Sequence, residues 1–273
     1  MTIRVRAPAT TANVGPGFDC AAIALDLWNE VELEPGDGDV DEDHLGVRAF
    51  ARVAPLAGWR FRWTDRIPRA RGLGSSAATV ALGLVAGELA RGGSLDPEAL
   101  LAAGVELEGH ADNLAAALAG GVCLTWDGRI ARLGATAPAS AIVLVPEATV
   151  STEESRRSLP ESVPHADAAV TAGRAALLGA ALASGSSELF AAALHDRLHE
   201  PYRAEAAPLL AAVRARLPPG ALGATLSGSG PSVVVWAEHA AVAECAAELA
   251  DGFPDAQVLS LGPAAAGAAA SPR

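Results

Sequence analysis

No lysine occurs anywhere in the 273 residues; all 20 basic side chains are arginine. That absence excludes Schiff-base chemistry and the lysine-bearing loop that reaches the terminal phosphates of a nucleotide. Any phosphate clamp must therefore use backbone N–H groups, hydroxyls or guanidinium groups. Cysteine is scarce as well. Cys20, Cys123 and Cys245 are far apart, with no CxxC pair and no histidine at metal-ligand spacing, so neither a disulfide framework nor a zinc site is expected. No run reaches the ~20 continuous apolar residues that span a bilayer, and the opening MTIRVRAPATTANVG lacks the apolar core of a signal peptide. Net positive charge is missing too: the formal charge is −12, spread along the chain, which leaves no basic face for duplex DNA or anionic lipid. The expectation is a cytoplasmic chain with reduced thiols and no nucleic-acid or membrane partner.

What is present is apolar matter. At 51% hydrophobic and 19% charged residues, the chain buries a core rather than staying disordered, and one globule of two lobes is expected. Alternation of Ile3, Val5 and Ala7 with Arg4 and Arg6 predicts a strand ending at Pro8, followed by a polar, glycine-containing loop. A second strand is expected within 21–33, a solvated acidic turn over 35–43, a helix over 45–54, and a strand where Trp59, Phe61 and Trp63 alternate with arginines. A long Ala/Leu/Val helix starts near Ser75, and Asp96-Pro97 caps another that runs through Glu108. The segment ADNLAAALA reads as a helix stopped by Gly120 and Gly121, with a strand after it. AIVLVP, after Pro138, reads as the buried strand that opens the second lobe. Helices are expected over 167–183, 189–198 and 206–217, then a strand, a glycine-rich loop and a strand in GATLSGSGPSVVVWA. The alanine-rich stretch from Pro263 is expected to be disordered.

Four loops hold the chemistry. GLGSS combines glycines that allow a tight turn with the start of a helix, whose free N–H groups and positive dipole end attract an anion. Ser75 and Ser76 add hydroxyls, one for a phosphate oxygen and one for a metal ion. The same five residues would also serve simply to cap a buried helix. LSGSGPS lies between two apolar strands and fits either an ordinary hairpin or a second anion loop. PATTANVGPGFD sets Asn13 and Asp19 among glycines and prolines, a composition common in binding loops. EGHADN gathers Glu108, His110, Asp112 and Asn113 at a helix start, where capping is an equal explanation.

Taken together the motifs carry a resemblance. In order and spacing, PATTANVGPGFDCAAIAL, PRARGLGSSAA and LSGSGPS resemble the three signature motifs of the GHMP kinase superfamily. ELEGHADNLAAALAGG, STEESRRSLP and LHEPYR resemble its homoserine kinase branch, so the likeness spans nearly all of residues 3–236. The resemblance implies an α+β fold in two lobes, residues 1–138 with a left-handed β-α-β unit that binds ATP and residues 139–262 with a ferredoxin-like arrangement, with the active site between them and 263–273 as a tail. It implies ATP and Mg²⁺ as cofactors, L-homoserine as the substrate phosphorylated on the way to threonine, and a homodimer.

By motif position, Pro68, Arg69, Ala70, Arg71, Gly72, Leu73, Gly74, Ser75, Ser76, Ala77 and Ala78 would hold the nucleotide. Ser227, Gly228 and Gly230 would face its phosphates. Mg²⁺ would be held by Ser76 with Glu106, the alternative being Glu108. Asn13, Asp19, His110, Asp112 and Asn113 would line the ammonium and hydroxyl side of the substrate, and Arg156 and Arg203 would meet its carboxylate, since a guanidinium fork fits a carboxylate with two parallel bonds. Each arginine could instead form a silent surface ion pair. Asp112 and Asn113 are the catalytic candidates, with positioning ranked above proton abstraction for Asp112. His44-Leu45 stands where the family commonly carries Asn-Leu near the adenine pocket. A kinase for another small amino alcohol such as threonine, and a nucleotide or metabolite sensor without turnover, remain open at this point.

Overall fold

A strand that runs through a proline begins the fold. In the computed structural model, which describes residues 2–37 and 39–271, β1 (Ile3–Ala12) continues past Pro8 rather than ending there. Pro8 lies opposite Trp28 of β2 (Ala21–Pro35), and the register shifts between Pro8 and Ala9. A proline has no N–H to give the ladder and is tolerated in a strand at such an irregularity. The strand therefore reaches Ala12, and the polar loop is confined to residues 13–20.

After α1 (Leu45–Ala51), β3 (Trp59–Thr64) pairs with the second half of β2. Three helices follow: α2 (Ser75–Arg91), α3 (Pro97–Glu108), capped by Asp96, and α4 (Ala111–Ala119). The chain then returns in β4 (Val122–Trp126) and β5 (Arg129–Gly134), with β4 on the opening residues of β2. Along α2, Ala77, Ala78, Val80, Ala81, Leu82, Leu84 and Val85 are all buried, which makes it the central helix beneath the sheet. Gly83 and Gly87 let it approach α1 closely, since a Cβ at Gly83 would lie 2.1 Å from the Gly46 carbonyl oxygen.

The second sheet starts at β6 (Ser140–Pro146). It is followed by α5 (Thr152–Arg157), α6 (His165–Ser184), α7 (Ser187–Ala193), α8 (Glu200–Arg203) and α9 (Leu209–Arg214). Then come β7 (Ala221–Leu226), β8 (Val233–Ala237), α10 (Val242–Gly252) and β9 (Ala256–Leu261). The strand order is β7-β8-β6-β9, all antiparallel, which is the β-α-β-β-α-β ferredoxin-like arrangement expected of the second lobe. The helix expected over 189–198 is split: α7 ends at Ala193, and Asp196 then accepts the backbone N–H groups of Leu198, His199 and Glu200 to start α8. β5, α5, α10 and β9 form where the sequence predicts no element. By length and composition α6 could cross a membrane, yet it contains Asp167 and Arg174 and packs through Thr171, Leu178, Ala181 and Leu182.

The expectation of a disordered tail from Pro263 is corrected. Ala269–Ala270 form β10 on the free edge of β1, and Pro263 bridges to Leu25. Ala264 N–H donates to Ala24, its carbonyl oxygen accepts from Gly121 N–H, and Ala268 N–H donates to Ala117. Small side chains make this fit rather than prevent it: a Cβ on Gly267 would lie 2.0 Å from the Leu118 carbonyl oxygen. Pro272 and Arg273, the end of the expected tail, lie outside the described residues.

Candidate active site

An open cleft of about 700 Å³ lies between the lobes, lined by the 68–76 loop, the 13–20 loop, the start of α4, the start of α5, Arg203 and the loop after β7. The described residues include four non-glycine positions with left-handed backbone, and three of them, Asn13, Asp19 and Ala70, line this cleft. Such a conformation costs about 1–2 kcal/mol for an ordinary residue, so its clustering marks a site under functional constraint.

The glycine-serine loop is shaped by its neighbours. Gly74 caps α2 in a left-handed conformation, and no side chain bonds the first N–H groups of the helix. Those donors and the dipole end face the cleft as an anion site made without lysine. Gly72, at φ +75°, is pressed on the loop after β7: a Cβ there would lie 2.0 Å from the Ser227 carbonyl oxygen. The Ser227 hydroxyl donates to the Gly72 carbonyl oxygen at 2.7 Å, and Gly228 N–H donates to Ala12. The two glycine-rich loops and the end of β1 thus form one hydrogen-bonded unit.

Arg71 is an interlobe clamp. Its Nε and Nη2 donate to the carbonyl oxygens of Pro146 and Glu147 at 2.9 and 2.7 Å. Pro68, Ala70, Leu73, Ser75 and Ser76 also line the cleft. Arg69 turns away to pair with Asp65, and Ala77 and Ala78 are fully buried, with the Ala78 N–H already donated to Gly74, so these three are not among the cleft-lining residues. Of the second loop, Gly228 and Ser229 line the cleft, while Ser227 and Gly230 shape it from behind.

Helix geometry separates the two glutamates considered for the metal, Glu106 first and Glu108 as the alternative. The Ser76 hydroxyl donates to Glu108 Oε2 at 2.6 Å, whereas Glu106 pairs with Arg52 at 3.3 Å on an exposed surface. Two residues apart on a helix means opposite faces. Burial pushes the Glu108 carboxyl up to about 7, against the lowering effect of the Ser76 bond and with a smaller push from Asp112. A desolvated carboxyl beside a hydroxyl is a sparse set of hard oxygen donors. The described residues hold no group of three His, Cys, Asp or Glu able to hold an ion alone. This donor set fits Mg²⁺, which binds through one or two carboxylates and the phosphates of a nucleotide.

At the start of α4, Asp112 is buried, and its Oδ1 accepts from the Asn113 backbone at 2.7 Å. Burial raises its pKa, the Asn113 hydrogen bond lowers it, and Asp19 raises it again. Asn113 is fixed from the other side, because the Thr10 hydroxyl donates to its Oδ1 at 2.7 Å. Thr10 sits inside the first motif, in a stretch whose composition reads as loop, and belongs instead to β1. His110 lines the cleft as the N-cap of α4, with no capping bond from its ring.

Charges gather opposite this helix. Asn13 Oδ1 accepts the Asp19 N–H at 2.8 Å, and Asn13 Nδ2 donates to the Gly228 carbonyl oxygen at 3.1 Å. Arg156, presented by the capping box of α5, donates through Nη2 to both Asp19 oxygens at 2.7 and 2.9 Å. Arg203 is 3% exposed, and its Nη1 donates to His199 Nδ1 at 3.1 Å and to the Gly228 carbonyl oxygen at 3.3 Å. Its Nε is buried with no partner, which leaves the edge that carboxylates favour unused. All seven residues expected at the substrate side therefore meet in one cleft. His44, by contrast, caps α1 and stacks on Trp63 at 4.3 Å, away from the cleft lining.

Comparison with known proteins agrees with this geometry. Residues 44–121 match the GHMP kinases N terminal domain and residues 174–255 the GHMP kinases C terminal domain. A homoserine kinase of Streptomyces avermitilis is 41% identical over 92% of this chain and 90% of its own length. One from Clavibacter michiganensis is 41% identical over 90% and 86%. The crystal structure of homoserine kinase from Cytophaga hutchinsonii superposes with a TM-score of 0.86 at 28% identity, covering 99% of this chain and 97% of that one. The chain belongs to the homoserine kinase family of the GHMP kinases.

Proposed function

We propose that this chain transfers the γ-phosphoryl group of Mg·ATP to the side-chain hydroxyl of L-homoserine, forming O-phospho-L-homoserine and ADP. The observation that carries the reading is the unpartnered Nε of buried Arg203, in a cleft that also holds Asp19. An α-amino acid supplies a carboxylate for the guanidinium edge of Arg203 and an ammonium for Asp19, whose partner is otherwise Arg156. Arg156 would then share the carboxylate in place of its present bond to Asp19. A sugar or a plain hydroxy acid offers no cation for Asp19.

Phosphoryl transfer through a loose transition state requires alignment and charge neutralisation more than a strong base. The free N–H groups at the start of α2 and those of the 71–76 loop would hold the phosphates. Ser76 and Glu108 would hold Mg²⁺, which when bound neutralises the charge spreading over the phosphate oxygens. Asn113, locked by Thr10, and Asp112, locked by Asn113, would orient the acceptor hydroxyl toward that site. A role for Asp112 in positioning suits its bond to the neighbouring backbone better than proton abstraction does. A homodimer, a cytoplasmic location and a place in threonine synthesis belong to the same proposal. Mixing the protein with Mg·ATP and L-homoserine tests it: ADP and a new phosphomonoester signal should appear together, and bound nucleotide without ADP would leave only a sensor.

A further inference from the structure

The two halves of the amino-acid site come from different lobes. Asp19 rides on the 13–20 loop of the first lobe, and Arg203 ends α8 in the second. Their spacing must match the short distance between the ammonium and carboxylate of one α-carbon. One buried side chain bonds both Arg203 and the backbone of the 13–20 loop. His199 is 0% exposed, and its two ring nitrogens face the two halves: Nδ1 lies 3.1 Å from Arg203 Nη1, and Nε2 lies 2.9 Å from the carbonyl oxygen of Gly15.

The hydrogen bonds fix the tautomer. A guanidinium only donates, so Nδ1 accepts, and the ring proton sits on Nε2 and is donated to Gly15. Burial holds the imidazole pKa down to about 4, with Asp196 opposing that shift and Arg203 adding to it, so the ring stays neutral as this pattern requires. Its backbone is pinned as well, because Asp196 Oδ2 accepts the His199 N–H at 2.8 Å. Phe18, beside Asp19, stacks on the imidazole at 5.1 Å and also lies under Arg203 at 5.3 Å. A histidine that merely filled a core would not need both nitrogens bonded to segments that carry the substrate-side charges.

We propose that His199 is a positioning residue for the acceptor: a strut between lobes that fixes the Arg203 guanidinium relative to the 13–20 loop, and thereby sets the spacing at which an amino acid's carboxylate and ammonium are recognised. The inference rests on the amino-acid reading of the cleft. It also assigns selectivity to a residue that contacts no substrate.

Three substitutions test it, with wild-type turnover of L-homoserine measured first, so that failure of the substrate reading shows in the wild type and failure of the strut shows only in the variants. His199→Phe keeps an aromatic ring for the stacking, in a slightly larger volume, but loses both bonds. Its KM for L-homoserine should rise about tenfold or more while the KM for ATP stays within about twofold, since misplacement of an orienting group acts on the ligand it orients. His199→Asn can retain an acceptor for Arg203, and His199→Gln a donor for Gly15; each should recover part of the loss. An acceptor KM within about twofold of wild type in the Phe variant overturns the proposal, as does an equal rise in both KM values, which is what a merely structural role would give. If the Phe variant does not fold, unchanged acceptor KM values in both amide variants overturn it equally.

Discussion

Glu108 receives the Ser76 hydroxyl at 2.6 Å, while Glu106, on the same helix, pairs with Arg52 across an exposed surface. The two carboxylates are chemically identical and only two residues apart in the sequence, and they differ by a helix face in space. Glu108→Gln should lower kcat/KM for Mg·ATP by about 10², or roughly 2.7 kcal/mol of transition-state stabilisation. Glu106→Gln should stay within about twofold, because an exposed ion pair contributes ~0–1 kcal/mol. Steady-state kinetics at varied Mg²⁺ distinguishes the two, and a reversed order would return the metal site to Glu106.

The same carboxyl makes ligand-free stability depend on pH. Burial raises the folded pKa of Glu108 from the ordinary 4.5 to about 7. A raised carboxyl pKa means that the native state prefers the protonated form, so this contribution is fully present below about pH 4.5 and is lost as pH rises through 7. Glutamine stays neutral throughout. The unfolding free energy of Glu108→Gln relative to wild type should therefore increase between pH 5 and pH 8 in urea titrations without nucleotide. A flat or falling difference would show that the carboxyl is not desolvated.

Much of this site was legible in the sequence because each motif is short and local. GLGSS before an alanine-rich run predicts a helix start with free N–H groups, and Gly74 caps α2 in that way. Which residues face one another was harder to read. Glu106 and Glu108 cannot be told apart without knowing which face of α3 is buried, and Thr10 reaches Asn113 across 103 positions of sequence. His199 was inside a quoted motif, yet its partners Gly15 and Arg203 are set by the docking of two lobes. The alanine tail misled because low complexity says nothing of backbone pairing, and β10 pairs with β1 beside Ala268, which is buried in the core.

Gly72 should prove intolerant of even one methyl. With φ at +75° and the Ser227 carbonyl oxygen 2.0 Å from an added Cβ, Gly72→Ala forces apart the two glycine-rich loops. A loss of about 2–4 kcal/mol in unfolding free energy is expected, together with a raised KM for ATP. Gly92→Ala has a similar φ of +70° but open space around it, so it should cost about 1 kcal/mol and leave ATP affinity unchanged. Equal effects at both positions would mean that backbone strain alone, and not loop contact, governs Gly72.

Thr10 holds the side chain of Asn113 by one hydroxyl. Thr10→Val keeps the shape and removes the donor, and kcat should fall about tenfold with a smaller change in the KM for the acceptor, since losing one oriented hydrogen bond is worth roughly 1.4 kcal/mol. Thr10→Ser should restore most of the rate. If the valine variant keeps full kcat, Asn113 does not depend on Thr10 for its orientation.

In the proposed function, one cleft reads both ends of an amino acid through Asp19 and the arginines Arg156 and Arg203. That recognition is tested most directly by kcat/KM for L-homoserine against two truncated alcohols, 4-hydroxybutyrate, which lacks the ammonium, and 3-amino-1-propanol, which lacks the carboxylate. L-Homoserine should be preferred over each by at least about 10², because 3-amino-1-propanol leaves the buried Arg203 without a carboxylate and 4-hydroxybutyrate brings no ammonium for Asp19. Comparable kcat/KM for either analogue would contradict the account.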